Sequence, residues 1–323
     1  MTLSEFDIIE RYFAPLGNFR GPAVRLGPGD DCAVIMPPSN EQLCVSSDTF
    51  IEGTHFPVDA PAAMTARRTL AAALSDLAAM GSKPLAVTGA LTLASVSPEW
   101  LEEFANALGN CISVWQSPLV GGNISRGEAL SITWTVMGSL PQEQFISRSG
   151  ATEPSDIFVS GWPGRAGLAL QRRLAGQQCS KKIAQHYEAP EPRLELGQHL
   201  RGLASAMIDV SDGLLADLNH ILVASDVGAE IDLSSFNFDQ ALVAEAGDEV
   251  LARRLTLTAG DDYELCFVAP PEHRTTIADL SKQLDLPLTK IGQTKAAKGL
   301  TFCHPPEGML MEPLLLQSGY QHF

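Results

Sequence analysis

Basic residues are scarce in this chain: 22 lysines and arginines stand against 38 acidic residues in 323, a formal charge of −16. A general binder of nucleic acid or of anionic membranes needs a basic face to displace counterions or meet headgroups, and this composition argues against both. No apolar run of about 18 residues occurs, and the opening Met1-Thr2-Leu3-Ser4-Glu5 has neither a positive n-region nor an apolar h-region. The expectation is a cytoplasmic protein without a membrane partner. The six cysteines (Cys32, Cys44, Cys111, Cys179, Cys266, Cys303) contain no C-x-x-C pair, so buried free thiols are expected rather than zinc or disulfides. Also missing are G-x-x-x-x-G-K-[ST] and the H-R-D set, which excludes the common phosphate-binding loop and the protein-kinase catalytic loop.

What the chain does have is a recurrence of acidic residues beside glycine or serine. They stand at Gly29-Asp30-Asp31, Ser46-Ser47-Asp48, Ser75-Asp76, Asp209-Val210-Ser211-Asp212-Gly213 and Gly260-Asp261-Asp262, while Gly121-Gly122-Asn123 carries an amide in place of the acid. Small neighbours let the backbone approach an oxygen-rich ligand, and carboxylates supply the hard oxygens that Mg²⁺ prefers. Metal ions bridging two anions would let an acidic protein hold a nucleotide. Each cluster also has a plainer reading: Asp-Gly steps make surface turns, Asp212 can be a helix cap, and Gly121-Gly122 can be a tight strand end.

The length exceeds one ordinary core and suggests two domains of roughly 150 residues each. Ser4 can cap a first helix bearing Phe6, Ile9 and Phe13 at helical spacing, flanked by Ile8 and Tyr12. Strand-like runs at 32–35 and 43–46 each meet an acidic cluster at one end. Residues 62–80 read as a helix, apolar on every side from Leu70 onward except at Ser75 and Asp76. A carboxylate buried there is costly unless paired or metal-bound. Ser97 and Pro98 open a helix towards Trp115, followed by strands at 119–120 and 131–137. A composition change over 141–155 places the boundary between domains 1–140 and 141–323.

In the second half the expected strands are 157–159, 206–210, 230–233, 255–258 and 265–268, with helices near 165–174, 192–204 and 272–284. Ser211-Asp212-Gly213 turns a strand into a helix with Leu214, Leu218, Ile221 and Leu222 on one face. Alternating strands and helices in both halves give an α/β or α+β class.

Laid in order, the clusters resemble the thiamine-monophosphate kinase family, part of the superfamily of aminoimidazole ribonucleotide synthetase and selenophosphate synthetase. The strings that carry the resemblance are Gly29-Asp30-Asp31-Cys32-Ala33, Ser47-Asp48-Thr49 with Gly53-Thr54-His55-Phe56, Leu74-Ser75-Asp76-Leu77-Ala78-Ala79-Met80-Gly81, Ser147-Arg148-Ser149-Gly150, Asp209-Val210-Ser211-Asp212-Gly213-Leu214 and Gly260-Asp261-Asp262-Tyr263-Glu264-Leu265. The resemblance runs from Glu5-Phe6 to Gly319-Tyr320. It implies an aminoimidazole ribonucleotide synthetase-like fold: an N-terminal ATP- and Mg²⁺-binding sheet domain that forms a homodimer, then a C-terminal α/β domain with a substrate-contacting tail. The implied reaction moves the γ-phosphoryl of ATP to thiamine monophosphate.

Carried over by motif, Asp31, Ser46, Ser47, Asp48, Asp76, Asp209 and Asp212 would hold several Mg²⁺ ions, with Asn123 at a further ligand position. No general base is implied; Asp31, Asp76 and Asp212 would act through the metal. Gly122, Arg148 and Ser211 would contact ATP, and His55, Asp261 and Gln317 the thiamine monophosphate. Three positions depart from the family pattern: Asn123 where Gly-Gly-Asp is usual, Asp261 where Gly-Glu-Asp is usual, and Gln317-Ser318 where an aromatic residue often precedes Gly-Tyr. These departures keep two alternatives open, a catalytically impaired nucleotide or thiamine-phosphate binding protein and another ATP-dependent enzyme of the superfamily.

Overall fold

Ser4 opens the first helix by a reciprocal capping box: its hydroxyl accepts from the Asp7 amide, and the Asp7 carboxylate accepts from the Ser4 amide at 2.8 Å. Helix α1 (Glu5–Ile8) continues through π and 3-10 turns to Asn18. Ile8, Tyr12 and Phe13 are buried, whereas Phe6 is 77% exposed; the apolar stripe therefore starts after Phe6 and does not include it. The computed structural model describes residues 4–18, 21–236 and 239–305, so Gln317 and the tail departure lie outside the described residues.

The chain divides into two compact units, one containing the chain up to Leu77 together with Ser82–Glu143, the other Ala78–Gly81 and the chain from Gln144. In the first, β1 (Val24–Leu26) pairs with β2 (Val34–Ile35). Strand β3 (Glu41–Ile51), helix α2 (Ala62–Ala79), β4 (Lys83–Leu93), α3 (Pro98–Trp115), β5 (Leu119–Arg126) and β6 (Ser131–Pro141) follow. The four long strands form one sheet in the order β3-β6-β4-β5, antiparallel except for β4 and β5. Alternation along β6 turns Ile132, Trp134 and Val136 into the core. The Trp134 indole donates to the Thr69 hydroxyl at 2.9 Å, tying β6 to α2 through two fully buried groups. Ser97 caps α3 as its sequence predicts, accepting from the Trp100 amide at 3.2 Å, and α3 buries Leu101, Phe104, Leu108 and Ile112 at helical spacing.

Two strands depart from their sequence expectation in a way that matters for the site. Ser46-Ser47-Asp48 stands in the middle of β3, and Gly121-Gly122-Asn123 lies inside β5; neither cluster is at a strand end. The hydroxyls that look like loop chemistry in fact pair across the sheet, Ser47 with Thr135 at 3.1 Å and Thr49 with Thr133 at 2.9 Å. Strand β4 was not anticipated because Pro84 and Gly89 interrupt its apolar run. Gly89 is required there, since a Cβ would lie 2.4 Å from the Trp134 ring.

The second unit contains β7 (Asp156–Ser160), α4 (Arg165–Leu174), α5 (Lys181–Glu188), α6 (Leu194–His199), β8 (Ala206–Asp209), α7 (Leu214–Ser225), β9 (Gly228–Asp232), α8 (Gln240–Ala246), α9 (Glu249–Thr258), β10 (Leu265–Ala269), α10 (Arg274–Gln283), β11 (Leu288–Lys295) and β12 (Gly299–Cys303). Its sheet runs β12-β9-β11-β7-β10-β8, antiparallel apart from β12 and β9. Leu214, Leu218, Ile221 and Leu222 of α7 join Ile157, Val159, Ile208, Ile231 and Val268 in one buried cluster.

The strand expected at 255–258 is the end of α9. Its alternating Leu255-Thr256-Leu257-Thr258 imitates a strand, but Asp248 caps the helix by accepting from the Val250 amide at 2.8 Å, and Glu249 pairs with Arg253 one turn on. The helix expected over 192–204 ends at His199, and the chain turns at Gly202 with φ +75°. The cysteines are unpaired, but only Cys111 and Cys266 are buried; Cys32 is exposed and the other three are half-buried. Among the described residues no helix is long and apolar enough to cross a membrane.

Candidate active site

In the first unit, Ser46 and Asp48 share one face of β3 and meet Asp76 of α2. The Ser46 hydroxyl donates to the Asp76 carboxylate. All three side chains are half-buried, which corrects the expectation of a fully buried Asp76: its helix is buried on both sides of it, with Ser75 and Leu77 inside. Burial and then the negative charge of Asp76 push the Asp48 carboxyl up to about 6. Ser47 points to the opposite face of the strand, towards Thr135, so its side chain does not join this group. Asp31 is exposed and lies outside the strands, where its amide donates to the neighbouring Asp30 carboxylate at 3.0 Å.

His55 follows β3. Its Nδ1 accepts from the Ile51 amide at 2.9 Å, which leaves Nε2 as the protonated nitrogen of the neutral ring, and the ring stands edge-on to Phe50. Its carbonyl accepts from Arg68 Nε at 3.2 Å. On β5, Gly122 faces Gly89 of β4 so closely that a Cβ would lie 2.0 Å from the Gly89 oxygen. Asn123 is exposed one residue further on. A small apolar cavity is lined here by Phe13, Leu91, Gly121, Gly122, Asn123 and Trp134, among others.

In the second unit, Asp209 is buried at the end of β8, while Ser211 and Asp212 are half-buried on the turn into α7. Gly213 has φ +125°, and a Cβ would stand 2.6 Å from the Thr258 oxygen, so this turn admits only glycine. The Asp261 amide donates to the Ser211 carbonyl at 2.8 Å, bringing the Gly260-Asp261-Asp262 loop onto the same turn. Arg148 is exposed. Its segment is held by the Met207 amide on the Ser147 carbonyl, 3.0 Å, and by the Ser225 hydroxyl on the Arg148 carbonyl, 3.2 Å.

Three buried carboxylates stand here to which the sequence reading assigns no role, although Asp262 and Glu264 lie in strings it singles out. Asp217 accepts from the amides of Ser211, Asp212 and Gly213, although burial pushes its carboxyl up to about 7. Asp262 accepts from the Gly164 amide at 2.7 Å at the start of α4, and burial raises its carboxyl well above the usual range. Glu264 takes a two-pronged contact from Arg193 at 2.7 and 2.5 Å and a hydroxyl from Ser160 at 2.5 Å; burial pushes it up, and the guanidinium holds it below the ordinary value. The available signal was position: an acid in the first turn of α7, and two further acids within the Gly260-to-Leu265 string.

Among the described residues, one group of three metal-capable side chains lies within 4.8 Å, namely Asp232, Cys303 and His304. There Asp232 Oδ1 already accepts from the Ser234 amide and hydroxyl and lies 3.0 Å from His304 Nδ1. Asp31, Asp48 and Asp76 do not converge so tightly. The donor set of Ser46, Asp48 and Asp76 is nevertheless all oxygen, with two like charges facing each other, which suits a hard divalent cation.

Residues 29–140 match the family described as AIR synthase related protein, N-terminal domain, and residues 161–303 match its C-terminal domain. Over its whole length the chain is 41% identical to the thiamine-monophosphate kinase of Escherichia coli (strain K12), covering 99% of that protein. A solved thiamine-monophosphate kinase from Stenotrophomonas maltophilia K279a superposes with a TM-score of 0.85 at 39% identity, over 96% of this chain and 98% of that one. Another, AaThiL complexed with AMPPCP and TMP, superposes at 0.77 with 26% identity, over 100% of this chain and 99% of that one. The chain therefore belongs to the AIR synthase related family and, within it, to the thiamine-monophosphate kinases.

Proposed function

We propose that this chain transfers the γ-phosphoryl group of ATP to a phosphate oxygen of thiamine monophosphate, forming thiamine diphosphate and ADP. The observation that carries the reading is the Ser46–Asp76–Asp48 group on β3 and α2, in a chain that is 41% identical to a thiamine-monophosphate kinase across its full length. The attacking oxygen forms its bond to the γ-phosphorus as the bond to the ADP oxygen breaks. Because that oxygen already carries charge, no residue need act as a strong base, and the work is alignment of two polyanions.

Asp48 and Asp76 would hold magnesium by their carboxylates and Ser46 by its hydroxyl, with Ser47 contributing through its backbone because its side chain points the other way. Asp31, Asp209 and Asp212 are further positions that would hold magnesium ions, and Asn123 would offer a neutral oxygen. When bound, Mg²⁺ screens the repelling phosphates and stabilises the transferring group. Gly122, Arg148 and Ser211 would contact ATP: the bare Gly122 backbone admits close approach, the Arg148 guanidinium offers a fork to the phosphates, and the Ser211 hydroxyl a donor. His55 would donate from Nε2 to the phosphate of thiamine monophosphate, Asp261 would meet the thiamine, and Gln317 would reach it from the tail.

A cytoplasmic homodimer is part of this proposal. Leu43 and Val45 of the edge strand β3 are 51% and 58% exposed on the face that carries the Ser47–Thr135 and Thr49–Thr133 pairs, and an exposed apolar edge invites a second copy. Asn123 and Gln317 motivate a second reading, a catalytically impaired protein that binds nucleotide or thiamine phosphate without turnover. Thiamine diphosphate and ADP are to be followed from thiamine monophosphate, ATP and Mg²⁺, with thiamine as the control acceptor and Asn123→Asp in parallel. Turnover dependent on the monophosphate is expected, faster in the variant. Activity only in Asn123→Asp would support the binding protein, and silence of both folded chains would overturn the kinase.

A further inference from the structure

Three consecutive backbone N–H groups, those of Ser211, Asp212 and Gly213, converge on a single oxygen, Oδ2 of Asp217, at 3.0, 3.0 and 3.1 Å. Successive amides aimed at one point at the start of a helix form the concavity in which many proteins capture a phosphate oxygen. Here the occupant is a carboxylate of the chain itself. Asp217 lies in the first turn of α7 and is 2% exposed, so its charge also complements the helix dipole.

Two consequences follow from this occupancy. The amides of the turn are committed, so a polyphosphate arriving here meets the Ser211 hydroxyl and the Asp212 carboxylate instead. The turn also has one favoured shape, because three successive peptides must all point at the same oxygen. That shape is passed to the neighbouring loop through the Asp261 amide on the Ser211 carbonyl and the Tyr263 amide on the Val210 carbonyl, both 2.8 Å.

We propose that Asp217 is a positioning residue for phosphoryl transfer: by filling the amide concavity of the Ser211-Asp212-Gly213 turn, it holds Asp212 in place on the nucleotide side and Asp261 on the acceptor side. The role rests on the kinase reading above. Asp217 touches neither substrate; it acts through the backbone of residues that do.

The test compares the native chain with Asp217→Asn, which keeps an oxygen acceptor without the charge, and Asp217→Leu, which removes the acceptor. Amide hydrogen exchange is read at Ser211, Asp212 and Gly213, and kcat, both KM values and the Mg²⁺ concentration for half-maximal rate are measured. Asp212→Asn and the Asp212→Asn/Asp217→Asn double variant complete the set. For Asp217→Asn we expect a folded protein, faster exchange at the three amides, a higher Mg²⁺ requirement and a kcat lowered about 10- to 100-fold. The double variant should be no slower than Asp212→Asn alone, because both changes disable the same element.

A merely structural Asp217 would lower the melting temperature while leaving kcat per folded molecule and the Mg²⁺ requirement unchanged, or would multiply its defect with that of Asp212→Asn; either result overturns the proposal. If Asp217→Leu does not fold, Asp217→Asn decides the matter. Should the native chain form no thiamine diphosphate, the kinase reading fails separately, and the positioning role is then judged by Mg²⁺–ATP binding. Binding that weakens in Asp217→Asn together with faster exchange upholds the role, and unchanged binding overturns it.

Discussion

The amide of Asp261 donates to the carbonyl of Ser211 at 2.8 Å, and Gly260 lies so close beneath that a Cβ on it would stand 2.3 Å from the same oxygen. Two strings far apart in sequence thus share one piece of backbone. Gly260→Ala must push them apart. We expect a loss of about 2 kcal/mol in stability and roughly a tenfold fall in kcat. Denaturant melts and steady-state kinetics would check this; full activity with unchanged stability would show the contact to be dispensable.

Asp48 and Asp76 repel each other in the metal-free protein. Asp48→Asn should stabilise that form by about 1 kcal/mol, a figure already reduced for solvent screening of half-buried groups. Mg²⁺ should raise the melting temperature of the native chain but not that of the variant, and the variant's kcat should fall about 100-fold or more. Thermal melts with and without Mg²⁺ separate the effects. An equal Mg²⁺ response in both proteins would remove Asp48 from the ligand set.

His186 governs part of the acid stability. Burial and then the neighbouring Arg165, which donates to His186 Nε2 at 2.8 Å, hold its ring down at about 4, against 6.5 for a free histidine. The unfolded chain therefore takes up a proton between these values while the folded chain does not, and stability falls as pH drops from 6.5 towards 4. The loss is on the order of 2 kcal/mol, allowing for residual solvent contact. His186→Gln should flatten that part of the curve in urea titrations at successive pH values, and an unaltered slope would assign the acid sensitivity to other groups.

The exposed edge of the first sheet predicts assembly. Val45→Lys places a charge among Leu43, Ser47 and Thr49 on the outer face of β3 without touching Ser46 or Asp48. Light scattering should report a dimer for the native chain and a monomer for the variant, with circular dichroism unchanged. A variant that stays dimeric would move the interface elsewhere.

The sequence was most informative where one residue type has one physical use. Ser97 before Pro98 marked the start of α3, and the 3.6 spacing of Leu214, Leu218 and Ile221 marked the buried face of α7. It was least informative where local pattern and tertiary partner compete. Leu255-Thr256-Leu257-Thr258 alternates like a strand, yet Asp248 caps it into a helix. In the site, Asp48 and Asp76 were legible as unusual acids, but that Ser46 and not Ser47 turns towards Asp76 depends on where β3 begins, because a one-residue slip exchanges the two faces. Asp217 shows in the sequence only as an acid in the first turn of α7; that three amides converge on it does not show, because backbone amides carry no residue-specific signal.

The indole of Trp134 donates to Thr69, and Asp76 lies seven residues further along the same helix, two turns on and on the same side. The arrangement gives the protein an optical reporter. A fully buried Trp134 emits at the blue end of the tryptophan range, and a shift of α2 on cation binding at Asp76 would disturb its hydrogen bond to Thr69 and change that emission. Trp100, Trp115 and Trp162 also emit, so the signal of Trp134 is the part of an Mg²⁺ titration that a Trp134→Phe variant loses.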